Sequence, residues 1–91
     1  MNKFFETIEN IENQAKNEKD INISSFFREV ADSLRAKDLM RESSSFDFEL
    51  DVINFLIYIK CQKYYSEIKN YLIPLERKID TKLKLQRLKN E

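Results

Sequence analysis

The chain begins with an amphipathic pattern that is typical of a surface helix. Apolar residues recur at steps of three and four from the first residue, while polar residues occupy the opposite face. The apolar positions are Met1, Phe4, Ile8, Ile11 and Ala15. This pattern predicts a helix over residues 2–18, which the polar run at 17–20 ends without a glycine.

A second stripe of the same period follows after a short polar stretch. Its apolar positions are Ile23, Phe26, Phe27, Val30 and Leu34, with Ala31 beside them and Met40 rejoining at the edge. Asn22, Ser24 or Ser25 could each cap the start, because short polar side chains accept from the first backbone N–H groups. The pattern predicts a helix over residues 24–42. Three serines at 43–45 then predict a loop.

Apolar and acidic residues alternate strictly over residues 46–51 (FDFELD). Alternation is typical of a strand, but three acids in a first turn also suit the positive end of a helix. No second strand is predicted to pair with it. The start of a helix is therefore favoured, with an extended arm as the alternative.

One long apolar stripe covers the second half of the chain. Its positions are Phe46, Leu50, Ile53, Ile57, Cys61, Tyr64, Ile68, Tyr71, Leu72, Leu75, Ile79 and Leu83. The helical phase survives Pro74, which favours a kink or a tight break there over a long loop. We expect helices over residues 46–73 and 75–89, the first with a second apolar face. The segment after Pro74 either projects or folds back.

The chain of 91 residues has no glycine and one proline, which disfavours tight hairpins and glycine-rich phosphate loops. With the stripes above, this predicts an all-α fold. We expect one domain over residues 1–91, a three- to four-helix bundle with a long C-terminal helix kinked or broken at Pro74.

A net charge of zero hides a separation of charge along the chain. Twelve acids and seven bases precede Lys60, whereas four acids and nine bases lie from Lys60 onward. The basic end carries two leucines off the main stripe. These candidate partner-binding residues are Arg77, Lys78, Lys82, Lys84, Leu85, Arg87, Leu88 and Lys89.

Such a basic run is a solvated helix face, or it binds an acidic protein surface, a phosphate backbone or an anionic membrane surface. The two leucines favour a larger protein as the partner. Weak or indirect nucleic-acid contact through the same helix stays open.

Three adjacent aromatic pairs each place one ring on an apolar stripe and the other about 100° around the helix. The pairs are Phe4 with Phe5, Phe26 with Phe27, and Tyr64 with Tyr65. Either the core face is wide, or one ring of each pair belongs to a docking patch, or the rings form a stacking platform for single-stranded nucleic acid. Phe5 and Tyr65 are the candidates for such a patch.

Catalytic, metal and cofactor chemistry have little support. The chain has no histidine, the usual general base and a common metal ligand. Asp47, Glu49 and Asp51 match the first alternating ligands of a calcium loop, but Val52 stands where that loop needs glycine. Cys61 lies on the apolar stripe and is expected to be buried and inert. We expect no enzyme activity, cofactor or metal site.

Membrane insertion is not expected either. The longest apolar stretch, residues 52–59, is far shorter than the roughly 20 residues that cross a bilayer. The first residues lack the apolar run of a secretory signal. A cytoplasmic location is therefore expected.

The run FELDVINFLIYIKCQKYYSEIK at 48–69, followed by Pro74 and the basic KLKLQRLK, resembles the long helix of small helical subunits of archaeal replication machinery. These are GINS-type subunits and small helical partners of the replicative DNA polymerase. The resemblance covers about half of the chain. It implies a non-catalytic accessory subunit with its basic end near DNA, although nothing in these 91 residues corresponds to the small β-domain that GINS subunits normally add.

Bacteriocin immunity proteins are the alternative. They are similar in length and form antiparallel helical bundles with functional C-terminal helices. This resemblance implies a bundle that binds and neutralises a protein partner.

Overall fold

The chain forms four α-helices in the computed structural model, which describes residues 3–43, 45 and 47–90. The helices are α1 (Lys3–Asn17), α2 (Ile21–Leu39), α3 (Phe48–Lys60) and α4 (Tyr65–Asn90). Within α4, the side chains of 82, 83 and 86–90 fall outside this description. The described residues contain no strand, so the all-α prediction is confirmed.

The first two helices form a hairpin close to the predicted one. The described apolar positions of the α1 stripe are all buried, as are Phe27, Val30, Ala31 and Leu34 of α2. Arg35 on α2 donates to Glu12 on α1, which links the two helices at their surface. Met40 is an exception, because it follows the end of α2 and is half exposed.

Helix α2 begins earlier than predicted, and its cap is different. Asp20 is the N-cap, and its Oδ1 accepts from the backbone N–H groups of Asn22 at 2.9 Å and Ile23 at 3.3 Å. The three predicted caps lie inside the helix. Ser24 reaches back instead and donates its hydroxyl to the carbonyl of Ala15 at 2.6 Å, which ties the hairpin together.

The alternating segment is helical from Phe48, so the helix alternative is confirmed there. Asp47 is the N-cap, and its Oδ1 accepts from the backbone N–H of Leu50 at 3.1 Å. Phe46, which was expected to open this helix, lies outside the described residues.

The predicted single helix over 46–73 is wrong, because the chain turns at 61–64 between α3 and α4. Short backbone hydrogen bonds build this turn, from Cys61 N–H to the Tyr58 carbonyl at 3.1 Å and from Gln62 N–H to the Ile59 carbonyl at 3.0 Å. No described residue has a positive φ. The turn therefore needs neither glycine nor proline and leaves no such mark in the sequence.

The predicted break at Pro74 is not observed, since α4 runs through it without interruption. Pro74 lacks a backbone N–H, so one hydrogen bond to the preceding turn is missing inside the helix. The separate helices expected on either side of the proline are one.

The face that α3 buries is the one predicted as secondary. Val52, Leu56 and Ile59 are buried, whereas Leu50 and Ile57 of the predicted main stripe are more than half exposed. Cys61 is exposed, contrary to the prediction of a buried thiol. The turn at 61–64 interrupts the helical phase. The buried stripe of α4 is therefore not a continuation of the side of α3 that carries Leu50 and Ile57.

The four helices pack as an antiparallel bundle in which each helix lies beside the next and α4 returns to α1. The ion pair between Lys37 and Asp51, 2.7 Å long, joins the end of α2 to the start of α3. The ring of Tyr71 on α4 meets Phe27 near the start of α2 at 5.6 Å between centroids. One core of side chains from all four helices lies between them.

Helix α4 is longer than its neighbours and extends past the core. Among the side chains of α4 that the structure describes, Ile79 is the last one that is buried. After it, the described side chains of Asp80, Thr81, Lys84 and Leu85 are all exposed. The described chain measures 48 × 25 × 24 Å, an elongation that matches this projecting helix end. Of the two alternatives for the C-terminal segment, the structure has the projecting one.

Candidate protein-interaction surface

The projecting end of α4 carries the predicted basic surface. Arg77, Lys78 and Lys84 are exposed on it, and Leu85 is 54% exposed. Because the helix continues to Asn90, its backbone hydrogen bonds hold this end in a regular shape. A preformed helix end with bases and an exposed leucine can bind a partner without first folding.

Four other predicted residues lie in the same helical stretch, but their side chains lie outside the description. They are Lys82, Arg87, Leu88 and Lys89. From residue 81 to residue 90 the sequence has four bases and no acid. The end of α4 is therefore more strongly basic than the helix as a whole.

Phe5, the first aromatic candidate, is on the surface of α1 and 41% exposed. The guanidinium carbon of Arg35 lies 5.9 Å from the centre of its ring. That guanidinium also pairs with Glu12, so the ring is part of a small surface cluster. Part of the Phe5 side chain therefore stays accessible for contact.

Tyr65, the second aromatic candidate, is placed less favourably for binding. It is the first residue of α4, partly buried and packed against the core. It also lies at the opposite end of α4 from the basic extension. The structure therefore does not bring Tyr65 together with the other candidates.

The sequence pattern missed several exposed apolar side chains. Ile21 and Leu39, at the two ends of α2, are 76% and 82% exposed, and Tyr58 on α3 is 58% exposed. Tyr58 lies on a groove between α2 and α3 that also contains Phe26 and Phe55. These residues share no sequence motif, and only the packing of α3 against α2 brings them together.

Glu76 is the described polar group that most needs explanation. Its Oε1 is buried without a hydrogen-bond partner among the described residues. It lies in a small cavity of about 110 Å³ between α3 and α4, which Lys60 and Asp80 also line. The described residues contain no group of three potential metal ligands, there or elsewhere.

Among the described residues, no helix combines the length and apolar character needed to span a bilayer. The surface features are thus a basic helix end, a half-covered phenylalanine and an aromatic groove.

No family model, curated protein or solved structure matches this chain.

Proposed function

We propose that this protein is a small non-catalytic interaction subunit that binds a larger protein through the projecting end of α4. The proposal rests on one observation: α4 continues for about three turns past Ile79, the last of its described side chains that is buried. Those turns add nothing to the described core. An exposed leucine among lysines is suited to an acidic surface with an apolar centre.

The resemblance of residues 48–69 and the basic end to archaeal replication subunits supports a more specific proposal. The partner is then a component of a DNA polymerase or helicase assembly. In such an assembly the bases of α4 would lie near the phosphate backbone. A bundle that neutralises a toxic protein partner, as bacteriocin immunity proteins do, is the second candidate.

Two double variants separate protein binding from DNA binding. Leu85→Ala with Leu88→Ala should weaken a protein complex mainly by raising its dissociation rate, because apolar contact is lost. Lys82→Glu with Lys84→Glu should mainly lower the association rate and its dependence on salt. The partner is first captured from cells with the unmodified protein and identified by mass spectrometry, and the rates are then measured with the purified pair.

Direct DNA binding would give the opposite ranking. In that case the lysine changes would dominate, the leucine changes would matter little, and affinity for duplex DNA would fall steeply between about 50 and 200 mM salt. Fluorescence anisotropy with labelled duplex DNA measures this.

Matched controls lie elsewhere on the surface. Lys16 and Lys19 are exposed at and just after the end of α1, and Ile21 and Ile57 are exposed at the start of α2 and on α3. Lys16→Glu with Lys19→Glu, and Ile21→Ala with Ile57→Ala, should leave binding unchanged. If the α4 variants bind the captured partner as tightly as these controls do, the proposed binding surface is wrong.

A further inference from the structure

The groove between α2 and α3 has a floor of aromatic rings. Phe26, Phe55 and Tyr58 line a hollow of about 350 Å³, with Val30 and Ile59 beneath. A second hollow of about 430 Å³ shares Phe26, Glu29 and Gln62 with the first, so the two are continuous along the bundle. An open aromatic groove of this kind accepts apolar side chains of a docked helix.

The rim of the first hollow is acidic. Glu29 and Asp32 are both exposed there, and its described lining contains no base. Lys37 lies nearby, but its ammonium pairs with Asp51 and stands 4.8 Å from the centre of the Phe55 ring. Lys63 lines the second hollow only, where it lies 5.4 Å from the Tyr64 ring. The first hollow therefore favours a basic occupant.

The chain itself carries a segment of that chemistry. Residues 81–90 form the last turns of α4, with four bases, no acid and the exposed Leu85. At about 1.5 Å per residue this segment is about 15 Å long. The first hollow spans from Phe26 to Ser33 along α2, about 11 Å by the same rise. The segment is therefore long enough to span the first hollow.

The segment cannot reach the groove of its own chain. It leaves the bundle at the end where α1 begins and α2 ends, whereas the groove opens towards the start of α2 and the end of α3. Because α4 is one continuous helix, it does not turn back. Only another molecule can bring a C-terminal helix end into this groove.

We infer that this protein self-associates by docking residues 81–90 of each copy into the α2–α3 groove of a second copy. Leu85 packs on the aromatic floor, and Lys84 faces Glu29 and Asp32. Because each copy offers one helix end and one groove, two copies form both contacts at once in a two-fold dimer. This inference goes beyond the proposed function and needs no partner protein. A larger partner bound to the end of α4 would compete with the dimer contact.

Sedimentation equilibrium of the full chain, from about 1 µM to 1 mM, tests the dimer by mass action. We expect the average mass to rise from monomer to dimer with concentration. Raising the salt concentration should shift this transition to higher protein concentration, since exposed charges attract each other across the contact. A monomeric mass at all concentrations would overturn the inference, whether the groove is empty or takes another ligand.

Charge reversal locates the contact. One variant reverses the groove (Glu29→Lys with Asp32→Lys) and the other reverses the helix end (Lys82→Glu with Lys84→Glu). Each variant alone should dimerise more weakly, with the dissociation constant raised by about tenfold or more. An equimolar mixture of the two should dimerise again, because each helix end then meets a groove of opposite charge.

Control variants outside the contact test whether loss of the dimer is specific to the groove and the helix end. Glu9 and Glu67 are exposed outside the groove, so Glu9→Lys with Glu67→Lys makes the same change in net charge and should dimerise normally. Leu85→Glu should abolish the dimer, whereas Leu39→Glu should not. Circular dichroism confirms that each variant is folded. If the mixture of reversed variants stays monomeric, or if the controls lose the dimer equally, the assigned contact is wrong.

The groove reversal also separates this inference from the proposed function. It removes the dimer but leaves the end of α4 unchanged, so capture of a larger partner through α4 should persist. If the unmodified chain dimerises but captures no partner protein through α4, the proposed function alone is contradicted.

Discussion

At the scale of single residues, two aspartates set where helices begin. Asp20 and Asp47 each place a carboxylate oxygen on backbone N–H groups of the first turn of α2 and α3. These N–H groups have no partner within the helix, so a short acidic side chain is favoured there. This chain has no glycine, so such caps and short hydrogen-bonded turns mark where it changes direction.

Replacing the Asp20 cap tests its contribution. We expect Asp20→Ala to lower the free energy of unfolding by about 1 kcal/mol, because two N–H groups lose their acceptor. Urea denaturation followed by circular dichroism measures the change. Glu9→Ala, at an exposed position of α1, is the control and should change stability by less than about 0.5 kcal/mol. Equal effects of the two variants would show that the cap contributes nothing specific.

Pro74 is the second residue with a testable cost. It is exposed inside α4, where a proline removes one hydrogen bond and crowds the carbonyl four residues earlier. Pro74→Ala should therefore leave the fold intact and raise the free energy of unfolding by about 1 to 3 kcal/mol. Asn70→Ala, one turn earlier and also exposed, serves as the comparison. A destabilised Pro74→Ala variant would mean that the bundle depends on a bend at this position.

At the scale of helices, α3 is the element whose burial is hardest to infer. It is apolar almost all the way round, with mostly apolar residues from Val52 to Ile59. A helix of this kind can bury either side, and its neighbours decide which. Here α2 and α4 cover the side of Val52, Leu56 and Ile59, and the side of Leu50 and Ile57 faces outward.

Two isoleucines on opposite sides of α3 provide a direct test. Ile59 is 2% exposed and Ile57 is 57% exposed. Ile59→Ala should cost about 2 to 4 kcal/mol of stability, because it leaves a cavity in the core. Ile57→Ala should cost less than about 1 kcal/mol. Denaturant titration of both variants measures the difference. A larger loss of stability in Ile57→Ala would show that the side of α3 predicted from the long stripe is the buried one.

At the scale of the whole molecule, the bundle and the projecting helix end are distinct parts. The core of described side chains lies between the four helices and ends at Ile79, and the described side chains beyond it are exposed. The acidic excess lies before Lys60, in α1, α3 and the loops, and the basic excess lies at the end of α4. The protein therefore has an acidic part and a basic part. This separation of charge favours association through oppositely charged surfaces.

Truncation tests whether the two parts are separable. A chain that ends at Thr81 keeps every described buried side chain, so its free energy of unfolding should stay within about 1 kcal/mol of the full chain. A chain that ends at Leu72 loses buried Leu75 and Ile79 and should be strongly destabilised. Thermal unfolding followed by circular dichroism distinguishes the two. A large loss of stability in the first truncation would show that residues 82–91 contribute to the core.

The sequence by itself determined the helical class, the buried faces of α1 and α2, and the four core positions of α4 from Ile68 to Ile79. In each of these segments the apolar residues form one stripe of helical period, so only one side can face a core. The exposure of Arg77, Lys78, Lys84 and Leu85 followed from the same periodicity. These features are local, and local spacing is sufficient to predict them.

Only the tertiary structure decided where the second half of the chain turns and which side of α3 is buried. The turn at 61–64 contains no residue with a positive φ, and Pro74 stays inside α4, so neither position follows the usual sequence signals. With two apolar sides available on α3, the choice between them depends on the helices that pack against it. The groove of Phe26, Phe55 and Tyr58 has the same origin, because its rings come from two helices that are distant in sequence.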